Sequence, residues 1–216
     1  MGVRQLARVG LTAAAAVTLG ALSAGAQTVT YTTTGAFTPG VFGTTTCTAT
    51  QCTVGGFTLS FTGSGGSFVA PTQNVDLGSF VTQYDPSSGT NPGLAFTGVQ
   101  FTLTVTQTAP TGGAGNLAGP ITGTLSYNPS GSTLFWTPTA TSLVIGPVTY
   151  ALITDQQNPG KIGISPPIFS PLQNPNATTV RANITATPEP ATLLLLAPGL
   201  AGLGLGVRLR RRSTKA

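Results

Sequence analysis

Histidine is absent from this chain of 216 residues, and other reactive or charged side chains are scarce. There are two cysteines and one tryptophan, and only 6% of the residues are charged. Without histidine, neither a Ser-His-Asp nor a Cys-His catalytic arrangement can form. Charge this sparse also argues against a helical bundle or a coiled coil. We therefore expect a protein that is not an enzyme and that carries no cofactor.

The formal net charge of +5 is concentrated at the two ends of the chain. Residues 1–26 carry two arginines, and residues 188–216 carry four arginines and a lysine against one glutamate. The central region carries only Lys161 and Arg181 against Asp76, Asp85 and Asp155. Binding to phosphate backbones requires a positive patch, which a nearly neutral region lacks. Nucleic acid is therefore excluded as a partner.

The three central aspartates were the remaining candidates for acid–base chemistry or metal binding. Each is expected beside a strand end or a turn, where aspartate ordinarily accepts backbone N–H bonds. Glycoside hydrolysis usually needs a pair of carboxylates, and a calcium loop would show an Asp-x-Asp spacing, which is missing here. We therefore expect neither a catalytic residue nor a metal site.

The N-terminus has the three parts of a secretory signal. Two arginines precede an apolar, alanine-rich segment at residues 9–22, and Ala24-Gly25-Ala26 follows it. Signal peptidase accepts small residues in this pattern, so we predict export by the Sec route and cleavage between Ala26 and Gln27. An uncleaved anchor or a buried helix is the alternative interpretation.

The C-terminus has a second ordered set of features. Pro188-Glu189-Pro190 is followed by the uncharged residues 191–207 and then by a basic tail with Arg208, Arg210, Arg211 and Arg212. A helix over residues 191–207 would be about 25 Å long, slightly less than the hydrocarbon core of a bilayer. The arginines would remain on the cytoplasmic side. This pattern predicts a transmembrane helix that holds the chain transiently in the inner membrane.

These C-terminal features together resemble a PEP-CTERM sorting signal, and the resemblance is confined to residues 187–216. It implies recognition of the Pro188-Glu189-Pro190 motif by an exosortase, a membrane transpeptidase that cuts near the motif. The protein would then be released or attached at the cell surface, in association with exopolysaccharide or biofilm. The alternative is a plain membrane anchor after a proline-rich linker.

Residues 27–186 alternate repeatedly between apolar and polar residues, which is typical of half-buried strands. Turn-forming clusters separate these segments, notably at residues 84–93, 109–120 and 156–160. We predict an all-β domain, an antiparallel β-sandwich or jelly roll, flanked by the signal helix and the transmembrane helix. The predicted strands are 57–62, 99–106, 121–127 and 180–186, with weaker candidates at 29–34, 75–82, 133–137, 148–153 and 161–164.

The predicted core consists of the apolar residues that share one face of these strands. Trp136, the only tryptophan, is either a core or edge residue or a platform on which a sugar stacks. The members of this predicted core are Phe57, Leu59, Phe61, Phe101, Leu103, Val105, Leu125, Tyr127, Trp136 and Tyr150.

Cys47 and Cys52 are separated by only four residues. In an oxidising compartment such a pair is expected to form a disulfide, here across a turn or hairpin just before the strand at Phe57. A metal site would need two further ligands, so free thiols are the main alternative.

The expected organisation is a signal peptide at 1–26, a threonine-rich β-sandwich at 27–186 and a sorting signal at 187–216. The expected function is that of an exported, non-catalytic surface or extracellular-matrix protein. A lectin-like, glycan-binding module is the alternative, and an enzyme is a distant third.

Overall fold

The computed structural model describes residues 27–85, 87, 94–125, 133–167 and 176–187. Residues Ala26–Pro190 belong to one compact unit. The described elements are fourteen β-strands: β1 Gln27–Phe37, β2 Gly40–Phe42, β3 Thr45–Cys47, β4 Gln51–Val54, β5 Phe57–Thr62, β6 Gly65–Ala70, β7 Thr72–Tyr84, β8 Leu94–Ala109, β9 Gly113–Leu125, β10 Leu134–Trp136, β11 Ser142–Ile145, β12 Val148–Leu152, β13 Ile162–Ile164 and β14 Asn176–Ala186.

The strands form two antiparallel sheets, which confirms the predicted all-β class. The six-stranded sheet has the order β13-β10-β9-β8-β1-β6. The eight-stranded sheet has the order β11-β12-β14-β7-β5-β4-β3-β2. The arrangement is sandwich-like, because apolar residues from both sheets meet in one core.

The alternation along β1 and β8 shows why this sequence forms a sheet with so little charge. Val29 and Tyr31 of β1 and Val105 of β8 are buried, whereas the threonines between them point outward. Thr32 pairs with Thr106 across the two strands. A threonine is β-branched, so it favours the extended backbone and still presents a hydroxyl to water. Threonine therefore provides the polar face that lysine and glutamate provide in other sheets.

An aromatic cluster joins the two sheets around Phe101. In the six-stranded sheet, the ring centroid of Phe101 lies 5.0 Å from that of Phe37 and 5.2 Å from that of Trp136. In the eight-stranded sheet, Phe61 and Phe80 lie 4.9 Å and 4.7 Å from it. Rings at such separations in tilted or edge-on geometry attract one another beyond their burial. The cluster is the centre of the hydrophobic core.

Most of the predicted core residues are buried, and Trp136 is fully buried rather than at the surface. The platform interpretation of Trp136 is therefore wrong. Phe61 is only partly buried, although its ring packs against the core. Tyr127 lies outside the described residues.

The predicted turn at residues 109–120 is wrong in its second half, because β9 begins at Gly113. This part of the strand contains glycine, alanine, asparagine and proline instead of alternating apolar residues. A Cβ atom on Gly115 would clash with the side chain of Leu143. The small residues are needed because Leu143 packs there, and that contact is invisible in the local sequence. Strands β2, β3, β4, β6 and β11 were likewise not predicted.

The described strands extend from Gln27, the first residue of β1, to Ala186, the last residue of β14. Thr187 donates its backbone N–H to the carbonyl oxygen of Pro147 at 2.9 Å. No helix in the described ranges is long and apolar enough to cross a membrane. The predicted signal helix and C-terminal transmembrane helix lie outside those ranges.

Candidate functional site

The two cysteines form a disulfide within the β3–β4 hairpin. Cys47 and Cys52 are directly opposite each other in the pairing of the two strands, with Cα atoms 4.1 Å and sulfur atoms 2.02 Å apart. Both residues are buried. In the turn between them, Thr48 donates its backbone N–H to the carbonyl oxygen of Gln51 at 2.8 Å. The disulfide thus lies where the spacing predicted it, and its position is structural.

Each of the three described aspartates uses one carboxylate oxygen to order its own local backbone. Asp85 Oδ1 accepts a hydrogen bond from the N–H of Ser87 at 2.9 Å and from its hydroxyl at 2.7 Å. These two bonds hold the pKa of Asp85 below its usual value. Asp155 Oδ1 accepts from the N–H of Gln157 at 2.7 Å. Both residues are in turns, as predicted.

Asp76 differs from the prediction, because it lies inside β7 and not at a strand end. Its Oδ1 accepts the N–H of Gly78 at 2.6 Å. Gly78 has a φ of +119°, and the pairing of β14 with β7 shifts register in this part of the sheet. The carboxylate therefore stabilises an irregularity within a strand. In the parts of the chain that the structure describes, no three potential metal-ligating side chains come together.

A buried polar network links the two sheets through Gln107 of β8 and Tyr150 of β12. Gln107 is 1% exposed. Its Nε2 donates to the carbonyl oxygen of Thr111 at 2.9 Å, and its Oε1 accepts from the hydroxyl of Tyr150 at 2.8 Å. Burial raises the pKa of Tyr150 to about 12. Every polar group here has a partner, so the network serves the fold.

The remaining predicted site residues fall at the ends of the chain. Gln27 is described and is the first residue of β1, paired with Ala70 of β6. Ala26, the motif Pro188, Glu189 and Pro190, and the basic tail with Arg208, Arg210, Arg211 and Arg212 lie outside the described residues.

A surface groove lies at the β10–β13 end of the six-stranded sheet. Its volume is about 300 Å³, at the lower end of the range for small-molecule sites. Residues from β10, from β13 and from the segment between β12 and β13 form its walls. The lining residues are Thr133, Leu134, Phe135, Asp155, Gly163, Ile164 and Ser165.

Phe135 places an aromatic ring in this groove. Its neighbours Leu134 and Trp136 point into the core, so strand alternation directs Phe135 to the outer face. Three other partly buried aromatic residues pack against the core, and Phe135 is not among them. The Nζ of Lys161 lies over its ring, 5.5 Å from the centroid.

A glycine keeps the space beside this ring open. Gly163 pairs with Phe135 across β10 and β13. A Cβ atom on Gly163 would lie 3.7 Å from Cε1 of Phe135 and 3.5 Å from Oδ2 of Asp155. Any larger residue would occupy the space between the ring and the carboxylate. The glycine therefore maintains a gap with an aromatic wall on one side and an anionic oxygen on the other.

The loop that carries Asp155 and Lys161 is fixed by hydrogen bonds within its own backbone. The N–H of Asp155 donates to the carbonyl oxygen of Lys161 at 2.8 Å, and the N–H of Lys161 donates to that of Asn158 at 3.1 Å. At the other end of the groove, the N–H of Ser165 donates to the hydroxyl of Thr178 at 2.8 Å. The groove thus combines an aromatic surface with fixed hydrogen-bonding groups, an arrangement that can bind a ligand.

Sequence reasoning missed Phe135, although the signal was present. Placing Trp136 in the core implies that the adjacent residue of the same strand points outward. No protein-family model, curated protein or solved structure matches this chain.

Proposed function

We propose that this protein is an exosortase-processed, non-catalytic component of the cell surface or extracellular matrix. The observation that carries the proposal is the order of features at residues 187–216: the Pro188-Glu189-Pro190 motif, an uncharged segment and a basic tail. These features resemble a PEP-CTERM signal in both order and position. In this proposal signal peptidase and exosortase act in turn, and the inner membrane holds the chain between the two cuts.

The position of the described strands is compatible with the proposed processing sites. All of these strands lie between the two sites, and the last one ends at Ala186, before the proposed sorting signal. Cleavage at either site would therefore leave the described hydrogen-bonded strands intact.

The charge distribution supports an extracellular role for the domain. The strands of the six-stranded sheet contain no aspartate, glutamate, lysine or arginine. Their outer face consists largely of threonine and other small residues, so solubility depends on hydroxyl groups. Such a face has little electrostatic attraction for polyanions and suits a hydrated polysaccharide matrix.

The experiment that tests the proposal compares Glu189→Ala with a matched control, Ser213→Ala, in the producing cells. The wild-type and the control chains should be shortened and appear at the cell surface or in the medium. The Glu189→Ala chain should remain at full length in the inner membrane, because the exosortase no longer recognises the motif. Immunoblots of the membrane, surface and medium fractions measure the outcome, and unchanged release of Glu189→Ala would refute recognition of the motif.

The second candidate function is a lectin-like, glycan-binding module. The specific observation in its favour is Phe135, whose ring faces the surface groove and not the core. The two functions are compatible, because a matrix protein can be retained by the polysaccharide around it.

A further inference from the structure

We propose that the groove around Phe135 binds one neutral pyranose ring of a polysaccharide. This inference rests on the glycan-associated function proposed above and names its site and its ligand class. In this proposal, Asp155 and Lys161 form hydrogen bonds with the hydroxyl groups of the sugar.

The exposed face of an aromatic ring is the first requirement for such a site. A pyranose has a face of C–H groups and a rim of hydroxyls, so its face packs on an aromatic ring while its rim stays polar. Phe135 points out of the sheet, and Gly163 leaves the space beside the ring free. The groove of about 300 Å³ suits one or two sugar units and not a long stretch of chain.

The second requirement is a set of polar groups fixed at the rim of the ring. The Oδ1 atom of Asp155 is occupied by the N–H groups of Gln157 and Asn158, at 2.7 and 3.2 Å. These bonds fix the carboxylate, and its Oδ2 lies on the groove side, next to Gly163. This oxygen is placed to accept hydrogen bonds from the hydroxyl groups of a sugar. Because the carboxylate is already ordered, little conformational entropy is lost on binding.

Lys161 supplies the complementary donor. Its ammonium group lies over the Phe135 ring, 5.5 Å from the ring centroid. A sugar that stacks on the ring therefore displaces the ammonium to the rim, where it can donate to a hydroxyl oxygen. The flexible lysine side chain makes this movement without a change in the backbone.

The balance of charge decides between a neutral and an acidic sugar. The lining of the groove contains one carboxylate, that of Asp155, and the ammonium of Lys161 lies over the ring of Phe135, which is part of this lining. The described residues as a whole carry three aspartates against one lysine and one arginine. An acidic polysaccharide would meet a slightly negative domain and a carboxylate at the site itself, whereas a neutral pyranose meets no repulsion.

The test is a titration of the isotopically labelled chain, recovered from the producing cells, followed by NMR of its backbone amides. The probes are neutral hexasaccharides of glucose, mannose and galactose, and an oligomer of guluronic acid. At least one neutral probe should bind saturably, with a dissociation constant on the order of 1 mM or lower. The largest amide shifts should fall on Phe135, Asp155, Gly163 and Ser165.

Variants assign the binding to this groove. Phe135→Ala and Asp155→Asn should each weaken binding of the neutral probe at least tenfold. Thr104→Ala is the matched control on the same outer face, and its affinity should equal that of the wild-type chain. Thermal melting of each variant shows that the loss does not come from unfolding.

Three results would overturn the inference: no saturable binding of any neutral probe, full affinity in Phe135→Ala, or tighter binding of the guluronate oligomer. The Glu189→Ala experiment separates this failure from failure of the proposed function. If processing depends on Glu189 but the chain binds no sugar, only the assignment of the groove is wrong. If the chain binds sugar but Glu189→Ala is released like the wild-type chain, only the sorting proposal is wrong.

Discussion

Among the described residues, Phe101 contacts four other aromatic rings, two from each sheet. Replacing it with alanine should lower the free energy of unfolding by about 3–5 kcal/mol, because a large cavity would remain between the sheets. Phe135→Ala is the matched control, since that ring is only partly buried and lies outside the core, and its change should be clearly smaller than that of Phe101→Ala. Urea denaturation measures both changes, and equal effects of the two variants would contradict this description of the core.

The buried tyrosines predict how stability changes in alkali. Burial raises the pKa of Tyr150 to about 12 and also raises that of Tyr31 above the ordinary value of 10.0. The unfolded chain therefore loses these protons at lower pH than the folded chain. The stability that the two groups contribute is complete below about pH 10 and is lost as the pH rises towards 12. Urea denaturation across this interval should show a steady fall in the free energy of unfolding.

The variant Tyr150→Phe tests the assignment of that slope. At about pH 8 the variant should be less stable by about 1–3 kcal/mol, because Gln107 Oε1 loses its buried donor. Between about pH 10 and 12 its stability should fall less steeply than that of the wild-type chain, because one of the two titrating groups is gone. An equal slope in both proteins would show that other groups control alkaline unfolding.

At the residue scale, alternation predicted the core well where both neighbours of a residue are polar. Leu103 and Val105 are examples, since threonines on either side of each fix the inward face. Alternation was less informative in Leu134-Phe135-Trp136, where three large apolar residues are consecutive. Only the placement of Trp136 in the core indicates that Phe135, its neighbour on the strand, faces outward.

At the element scale, the disulfide of the β3–β4 hairpin should contribute only modestly to stability. Its disulfide closes a loop of six residues, so the chain-entropy model gives about 2 kcal/mol. Replacing both cysteines with alanine should lower the free energy of unfolding by about that amount and leave the fold intact. Non-reducing peptide mass spectrometry should find Cys47 linked to Cys52, and alkylation of both in unreduced protein would refute the pairing.

Among the elements with the clearest period, β5 was predicted at its actual bounds, whereas β8 and β14 were placed correctly but predicted too short, at 99–106 and 180–186. The short strands β2, β3 and β4 were missed because they contain few large apolar residues, whereas the similarly short β10 and β13 contain Leu134, Trp136, Ile162 and Ile164. Strand β9 was taken partly for a turn because its residues are small. Their size reflects packing against Leu143 and Ile145, whose methyl groups would clash with a Cβ atom added to Gly115 or Gly113. Contacts of this kind are set by the fold and have no local signature.

At the scale of the whole molecule, the alternation of apolar and polar residues and the turn clusters were enough to predict an all-β domain but not its sheet order. Strand β14 lies between β7 and β12, and β1 lies between β6 and β8. These pairings join distant parts of the chain, so local periodicity carries no information about them. The same holds for the groove, which needs β10, β13 and the Asp155–Lys161 loop to meet.

The central claim is that the positive charge belongs to the two processed ends, and that the product is a nearly uncharged β-domain. Intact-mass spectrometry and terminal sequencing of the protein recovered from the cell surface or medium test this claim most directly. We expect a chain that begins at Gln27 and ends near the Pro188-Glu189-Pro190 motif. Recovery of the surface protein with Arg208 to Arg212 still attached would contradict it.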